Sequence, residues 1–134
     1  MEIVIAPPPI FDKIVAVFPS AANKGVIFTW GNTIFNPSGI HVNENLYAHE
    51  TVHRDHQAKG ESVEKWWERY LDDVEFRLTE ELPAHQLEYK TFCGRNKDRN
   101  HRVNYLHAVA NRLASPLYGN VMTKQAAIKA LMQG

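Results

Sequence analysis

The chain has 134 residues, 44% hydrophobic and 22% charged, with 15 basic and 15 acidic side chains and a formal net charge of zero. These values fit one folded domain, residues 1–134, with a core of its own, and exclude a disordered chain. The neutral balance argues against nucleic acid as a partner, the lone Cys93 excludes a disulfide framework or a multi-cysteine zinc finger, and no apolar run reaches the roughly 18 residues of a membrane span.

Ile3 to Ile5 reads as a short strand stopped by Pro7-Pro8-Pro9. This start carries no basic segment of the kind a signal peptide needs, so the expected compartment is the cytoplasm. Ile10 to Phe18 reads as a helix ended by Pro19. Val26 to Trp30 is β-branched and aromatic, Gly31-Asn32 is a turn signal, and Thr33 to Asn36 is a second strand closed by Pro37-Ser38-Gly39. The pair predicts a hairpin, with Ile40 to Val42 as a third strand. Asn43 or Asn45 caps a helix that runs to Lys59 and stops at Gly60, and Ser62 caps the next. There Val63, Trp66, Trp67, Tyr70, Leu71 and Val74 recur at three-to-four spacing, a core-facing stripe. Proline is tolerated only in a helix's first turn, so Pro83 places the start of a further helix near Glu80, with its end at Gly94. Residues 97–114 set Val103, Leu106, Val109, Ala110 and Leu113 on helical spacing. Ser115-Pro116 breaks that helix, and Thr123 to Met132 forms a last one. The basic run of Arg95, Lys97, Arg99, His101 and Arg102 reads as a solvated face. The expected class is α+β, a small N-terminal antiparallel sheet followed by a helical bundle.

His49-Glu50-Thr51-Val52-His53 is an HExxH motif inside the helix expected to end at Lys59. Positions i and i+4 lie one above the other on a helix, so the two imidazoles can share one metal ion, and zinc is the expected one. Glu50 stands beside them, where a carboxylate can take a proton from a water activated by the metal. An open catalytic zinc site needs a third protein ligand. Glu81 is the leading candidate, because it shares a face with Leu78, His85 and Tyr89, where an unpaired carboxylate is costly to bury. Glu80 and Glu88 are the alternatives. Tyr118, between helices, is a candidate donor to the oxyanion of a tetrahedral intermediate. His56 shares the face of His49 and His53 and reads as a polar wall residue. Trp66 and Trp67 read as core.

His49 to His53, followed by Glu81-Leu82-Pro83-Ala84 on a later helix, resembles the zincin metallopeptidases with a glutamate third ligand, the gluzincins. Trp30 to Pro37, Leu46 to Gln57, Trp66 to Arg77 and Ser115 to Gly119 are similar to segments of small metallopeptidase-like proteins encoded by bacteriophages and prophages. The resemblance implies a minimal zincin-like fold, zinc at His49, His53 and Glu81, and Glu50 as the general base of a peptidase or other amide hydrolase. It also implies that an edge strand, Thr33 to Asn36 or Ile40 to Val42, aligns a peptide or protein substrate in extended conformation. His85 stands where many relatives carry an aspartate, so the group that orients a ligand imidazole is expected from Asp72, Asp73 or a backbone carbonyl. The alternative reading is a zinc-binding interaction domain on the same scaffold, without turnover.

Overall fold

A computed structural model describes residues 1–134. Strand β1 spans Glu2–Val4, β2 Phe28–Trp30 and β3 Thr33–Phe35. Gly31, at φ 60°, takes the left-handed first position of the two-residue loop between β2 and β3, a conformation that side-chain-bearing residues rarely adopt. β2 and β3 pair antiparallel, with Thr29 opposite Ile34. β1 joins the other side of β3 and runs parallel to it, so the order is β1-β3-β2 and the sheet is mixed rather than antiparallel. Parallel neighbours need a long crossover. Here α1 (Phe11–Val17), a 3-10 turn (Pro19–Ala22) and β2 itself supply it. The expected strand at Ile40 to Val42 does not form. The Asn36 carboxamide accepts from the Ile40 N–H and donates to the Ile40 carbonyl, which folds this segment back and occupies its pairing groups.

The helices follow. α2 (Glu44–Lys59) starts at Asn43, whose side chain accepts from the Leu46 N–H, and stops at Gly60. α3 (Val63–Asp72) is capped by Ser62. Its Trp66, Trp67 and Tyr70 are buried with Ile14, Phe18 and Phe28 in a core between α1, α3 and the sheet. Val74 falls outside that stripe, 51% exposed, because Asp73 ends α3 and caps the next helix. That helix, α4 (Val74–Arg95), runs unbroken through Pro83 and past Gly94, where a helix starting near Glu80 is expected. An internal proline costs about 3 kcal/mol. Burial on both sides of it offsets the loss: Arg77, Glu80 and Glu81 before, Ala84, His85 and Glu88 after. α5 (Arg99–Leu113), capped by Asp98, and α6 (Lys124–Gln133), capped by Thr123, bring Leu106, Val109, Ala110 and Leu113 against Ala127 and Leu131. Val103 stays outside this core, 43% exposed. From the basic run, Arg102 donates to the carbonyls of Cys93 and Asn96 and finishes the C-terminal end of α4. No helix is long and apolar enough to cross a membrane.

Candidate metal centre

Every buried residue of α2 is polar: Asn45, His49, Glu50, His53 and Gln57. α4 faces it with Glu80, Glu81, His85 and Glu88, while its buried Arg77 turns to the carbonyls of Tyr70, Leu71 and Tyr118, and Ala84 is the one apolar residue buried on that helix. Taking ionisable groups out of water costs several kcal/mol per ion unless each is paired or bound. The contacts along this seam therefore define what the seam can do.

His49 Nε2 lies 3.4 Å from Glu81 Oε1, and His53 Nε2 lies 3.2 Å from the same oxygen. Ligand atoms held about 2.0–2.1 Å from a tetrahedral zinc ion stand about 3.3–3.4 Å from one another. Both imidazoles thus approach one Glu81 oxygen at close to that spacing, and two sets of side chains, His49 with Glu50 and His53 and His49 with Glu81 and His85, bring all their ligand atoms within 4.8 Å of one another. Glu50 Oε2 is 3.6 Å from His49 Nε2, while its Oε1 accepts a 2.8 Å hydrogen bond from the Thr29 hydroxyl on β2. One carboxylate oxygen is tied down and the other faces the cluster. Gln57, two turns after Glu50, sets this register: its carboxamide donates to the Thr29 carbonyl at 2.9 Å and accepts from the Gly31 N–H at 2.7 Å.

The other side of His49 is held as firmly. Its Nδ1 is 2.9 Å from Glu88 Oε1. Arg112 grips both oxygens of Glu88, and the Tyr105 hydroxyl donates to Oε2 at 2.8 Å. Glu81 and Glu88 are two turns apart on one continuous helix, so they reach the two nitrogens of the same imidazole. Glu88, an alternative third ligand by sequence, thus takes the orienting position expected of Asp72, Asp73 or a backbone carbonyl. Asp73 instead caps α4 through the Phe76 N–H, and Asp72 is exposed. Glu80, the other alternative, accepts from the Trp66 indole N–H and lies 2.7 Å from His56 Nδ1, so His56 is partnered within the wall. Tyr70 donates its hydroxyl to Glu81 Oε2. Sequence reasoning missed Tyr70, because its place in the α3 stripe reads as core; the usable signal is that a buried phenol needs a partner.

Burial disfavours charge on His49, but Glu50, Glu81 and Glu88 outweigh it and raise its pKa to about 10. His53 is raised as well, burial being outweighed by Glu81. Burial opposes ionisation of Glu81, yet His53 and His49 hold it well below the usual carboxylate range. Glu88 is lowered in the same way, against burial, by His49 and Arg112. His85 differs: burial and the neighbouring His49 push it down to about 3, so it is neutral. Its Nδ1 lies 2.7 Å from the Glu81 carbonyl, which only accepts, so the proton sits on Nδ1. His85 Nε2 is then a buried acceptor with no protein partner, and His53 Nδ1 is likewise unpartnered. Tyr118 is buried with its ring edge-on to His85, centroids 5.1 Å apart. Burial and Glu81 raise its phenol well above 10, which keeps it protonated. Arg77 donates to the Tyr118 carbonyl at 3.3 Å and so anchors the 3-10 turn Pro116–Tyr118.

His49, Glu50, His53, Glu81 and Tyr118 all line one cavity of about 280 Å³ whose remaining walls are largely apolar. No protein-family model matches the chain, and neither the curated proteins nor the solved structures yield a match.

Proposed function

We propose that the chain is a zinc-dependent peptidase or related amide hydrolase, with a gluzincin-like site on a minimal zincin-like fold. The observation that carries this reading is the approach of His49 Nε2 and His53 Nε2 to one Glu81 oxygen, at 3.4 and 3.2 Å, beside the Glu50 carboxylate. His49, His53 and Glu81 would hold the ion. When bound, zinc supplies Lewis acidity, lowering the pKa of a water toward about 7 and polarising a carbonyl. Glu50 takes the proton of the attacking water on Oε2 and passes it to the departing amine nitrogen, while Thr29 keeps Oε1 in place. Glu88, fixed by Arg112, accepts from His49 Nδ1–H and turns Nε2 toward Glu81 and His53. Tyr118, a neutral phenol in the same cavity, is the donor to a developing oxyanion.

The test is Glu50→Gln. It should keep about one zinc per chain, as an open three-ligand site predicts, and lose peptide turnover by about 10²-fold or more. Paired His49→Ala and His53→Ala substitutions should remove the metal. Turnover unchanged in Glu50→Gln would overturn the assignment. A second reading, a zinc-binding interaction domain without turnover, draws on the deep burial of His49, Glu50, His53 and Glu81, each 3–5% exposed. It predicts zinc in both proteins and hydrolysis by neither.

A further inference from the structure

A peptide laid along a sheet needs a run of free backbone N–H and C=O groups. Thr33 to Phe35 cannot offer one, because β3 is the central strand, paired on both sides. Of the two edges, β2 is the one that packs on α2 and borders the metal centre. Of its outward groups, the Thr29 carbonyl is already taken. Gln57 occupies the Thr29 carbonyl and the Gly31 N–H, and the Trp67 indole donates to the same carbonyl at 3.1 Å. Just before β2, Ile27 lies in the cavity wall with neither backbone group bonded within the protein. The free edge beside the site is therefore short.

The cavity provides what the edge lacks. Beyond the metal-centre residues its walls include Ile14, Phe18, Ala21, Phe28, Trp67 and Leu117. An apolar cavity of about 150 Å³ holds a benzene ring. At about 280 Å³ this one holds a ring and leaves space for the reacting group. Outside the metal cluster, the charged groups in the wall are Arg112, already paired with Glu88, and Lys24, exposed at the surface. A charged substrate side chain would lose its hydration there without gaining a buried partner. We infer that the substrate is a short amide bearing one bulky apolar side chain, best an aromatic one, seated in this cavity beside the scissile bond, rather than a long extended polypeptide. This rests on the zinc-hydrolase reading above.

The experiment is a calorimetric titration of zinc-loaded protein with hydroxamic acids, which chelate zinc and carry different groups into the cavity. The probes are acetohydroxamate, 3-phenylpropanohydroxamate, the monohydroxamate of succinic acid, and a phenylalanine-containing hexapeptide hydroxamate. The phenyl probe should bind tighter than acetohydroxamate by about tenfold or more, the gain from burying one aromatic side chain. The succinyl probe should gain nothing over acetohydroxamate, and the hexapeptide nothing over the phenyl probe. Ala21→Leu, which narrows the cavity, should lower the phenyl-to-methyl affinity ratio in protein whose circular dichroism is native. Equal affinities for methyl and phenyl probes, a gain for the succinyl or hexapeptide probe, or an unchanged ratio in folded Ala21→Leu would overturn the substrate class and leave the metal reading standing. Failure of acetohydroxamate to bind protein shown by elemental analysis to hold zinc would instead overturn the open hydrolase site, and this inference with it.

Discussion

α4 meets opposite chemistries on its two sides. Toward α5 and α6 it borders a core of Leu106, Val109, Ala110, Leu113, Ala127 and Leu131, with no polar side chain among the buried set. Toward α2 it borders Asn45, His49, Glu50, His53 and Gln57, with no apolar one. The first seam holds by area, each large aliphatic side chain contributing about 1.5–3 kcal/mol, and side chains of similar volume would serve as well. The second holds only as a set. His49 depends on Glu81 and Glu88, Glu88 on Arg112, and Glu50 on Thr29. A buried ionic seam is a weak source of stability compared with an apolar one of equal volume. Its presence between two long helices, beside a cavity, is what directs attention to chemistry there.

Acidification should separate the two seams most sharply. His85 has its pKa lowered from 6.5 to about 3, so the stability it contributes is complete above 6.5 and is lost as pH falls toward 3. Glu81 and Glu88 are lowered from 4.5, so their contributions are complete above 4.5 and are lost as pH drops below it. His49 acts in the opposite sense: raised to about 10, its contribution is complete below 6.5 and is lost as pH rises through 10. Metal-free protein should therefore be most stable near neutrality. On the way to pH 3, hydrogen exchange should report loss of protection in α2 before α5 and α6; simultaneous loss would show that the seams are not independent.

Glu88→Ala comes next. It leaves Arg112 and His49 Nδ1 without their shared carboxylate and should cost about 3–5 kcal/mol in urea denaturation. It should also weaken zinc binding by about 10–100-fold. Leu113→Ala, fully buried on the apolar side, should cost about 2–5 kcal/mol and leave zinc affinity as it was. A change in zinc affinity there would mean that the apolar seam also positions the ligands. The smallest effect belongs to Gln57→Leu, which strips the Gly31 N–H and one donor from the Thr29 carbonyl, at about 1–3 kcal/mol. Because β2 carries the Thr29 hydroxyl, this variant should lower turnover more than it lowers zinc affinity, read by comparing rate and metal titration.

The two seams also differ in how they can be read from residues alone. Leu106, Val109, Ala110 and Leu113 announce their face by apolar periodicity. α2 has no such stripe, and it is recognised by a cap at Asn43 or Asn45, its Gly60 stop and the HExxH spacing. Glu81 follows from the cost of burying a carboxylate. The orienting role of Glu88 does not, because it requires α4 to continue through Pro83, and proline read locally argues for a break. The free strand edge expected at Thr33 to Asn36 fails for a similar reason. Strand order depends on β1, which pairs with β3 across some thirty intervening positions and leaves no local signal of that pairing. Tyr70 is legible as core and illegible as a partner of Glu81.

Local chemistry thus determined the caps, the hairpin loop at Gly31, the apolar faces of α3 and α5, and the i, i+4 pairing of His49 with His53, because each rests on neighbours within a turn or two. Tertiary structure decided the mixed sheet, the unbroken α4, the convergence of Glu81 and Glu88 on one imidazole, and the occupation of the β2 edge by Gln57. Those depend on which distant groups satisfy one another once water is excluded. In a seam made almost wholly of polar side chains, that mutual satisfaction, rather than periodicity, sets the arrangement.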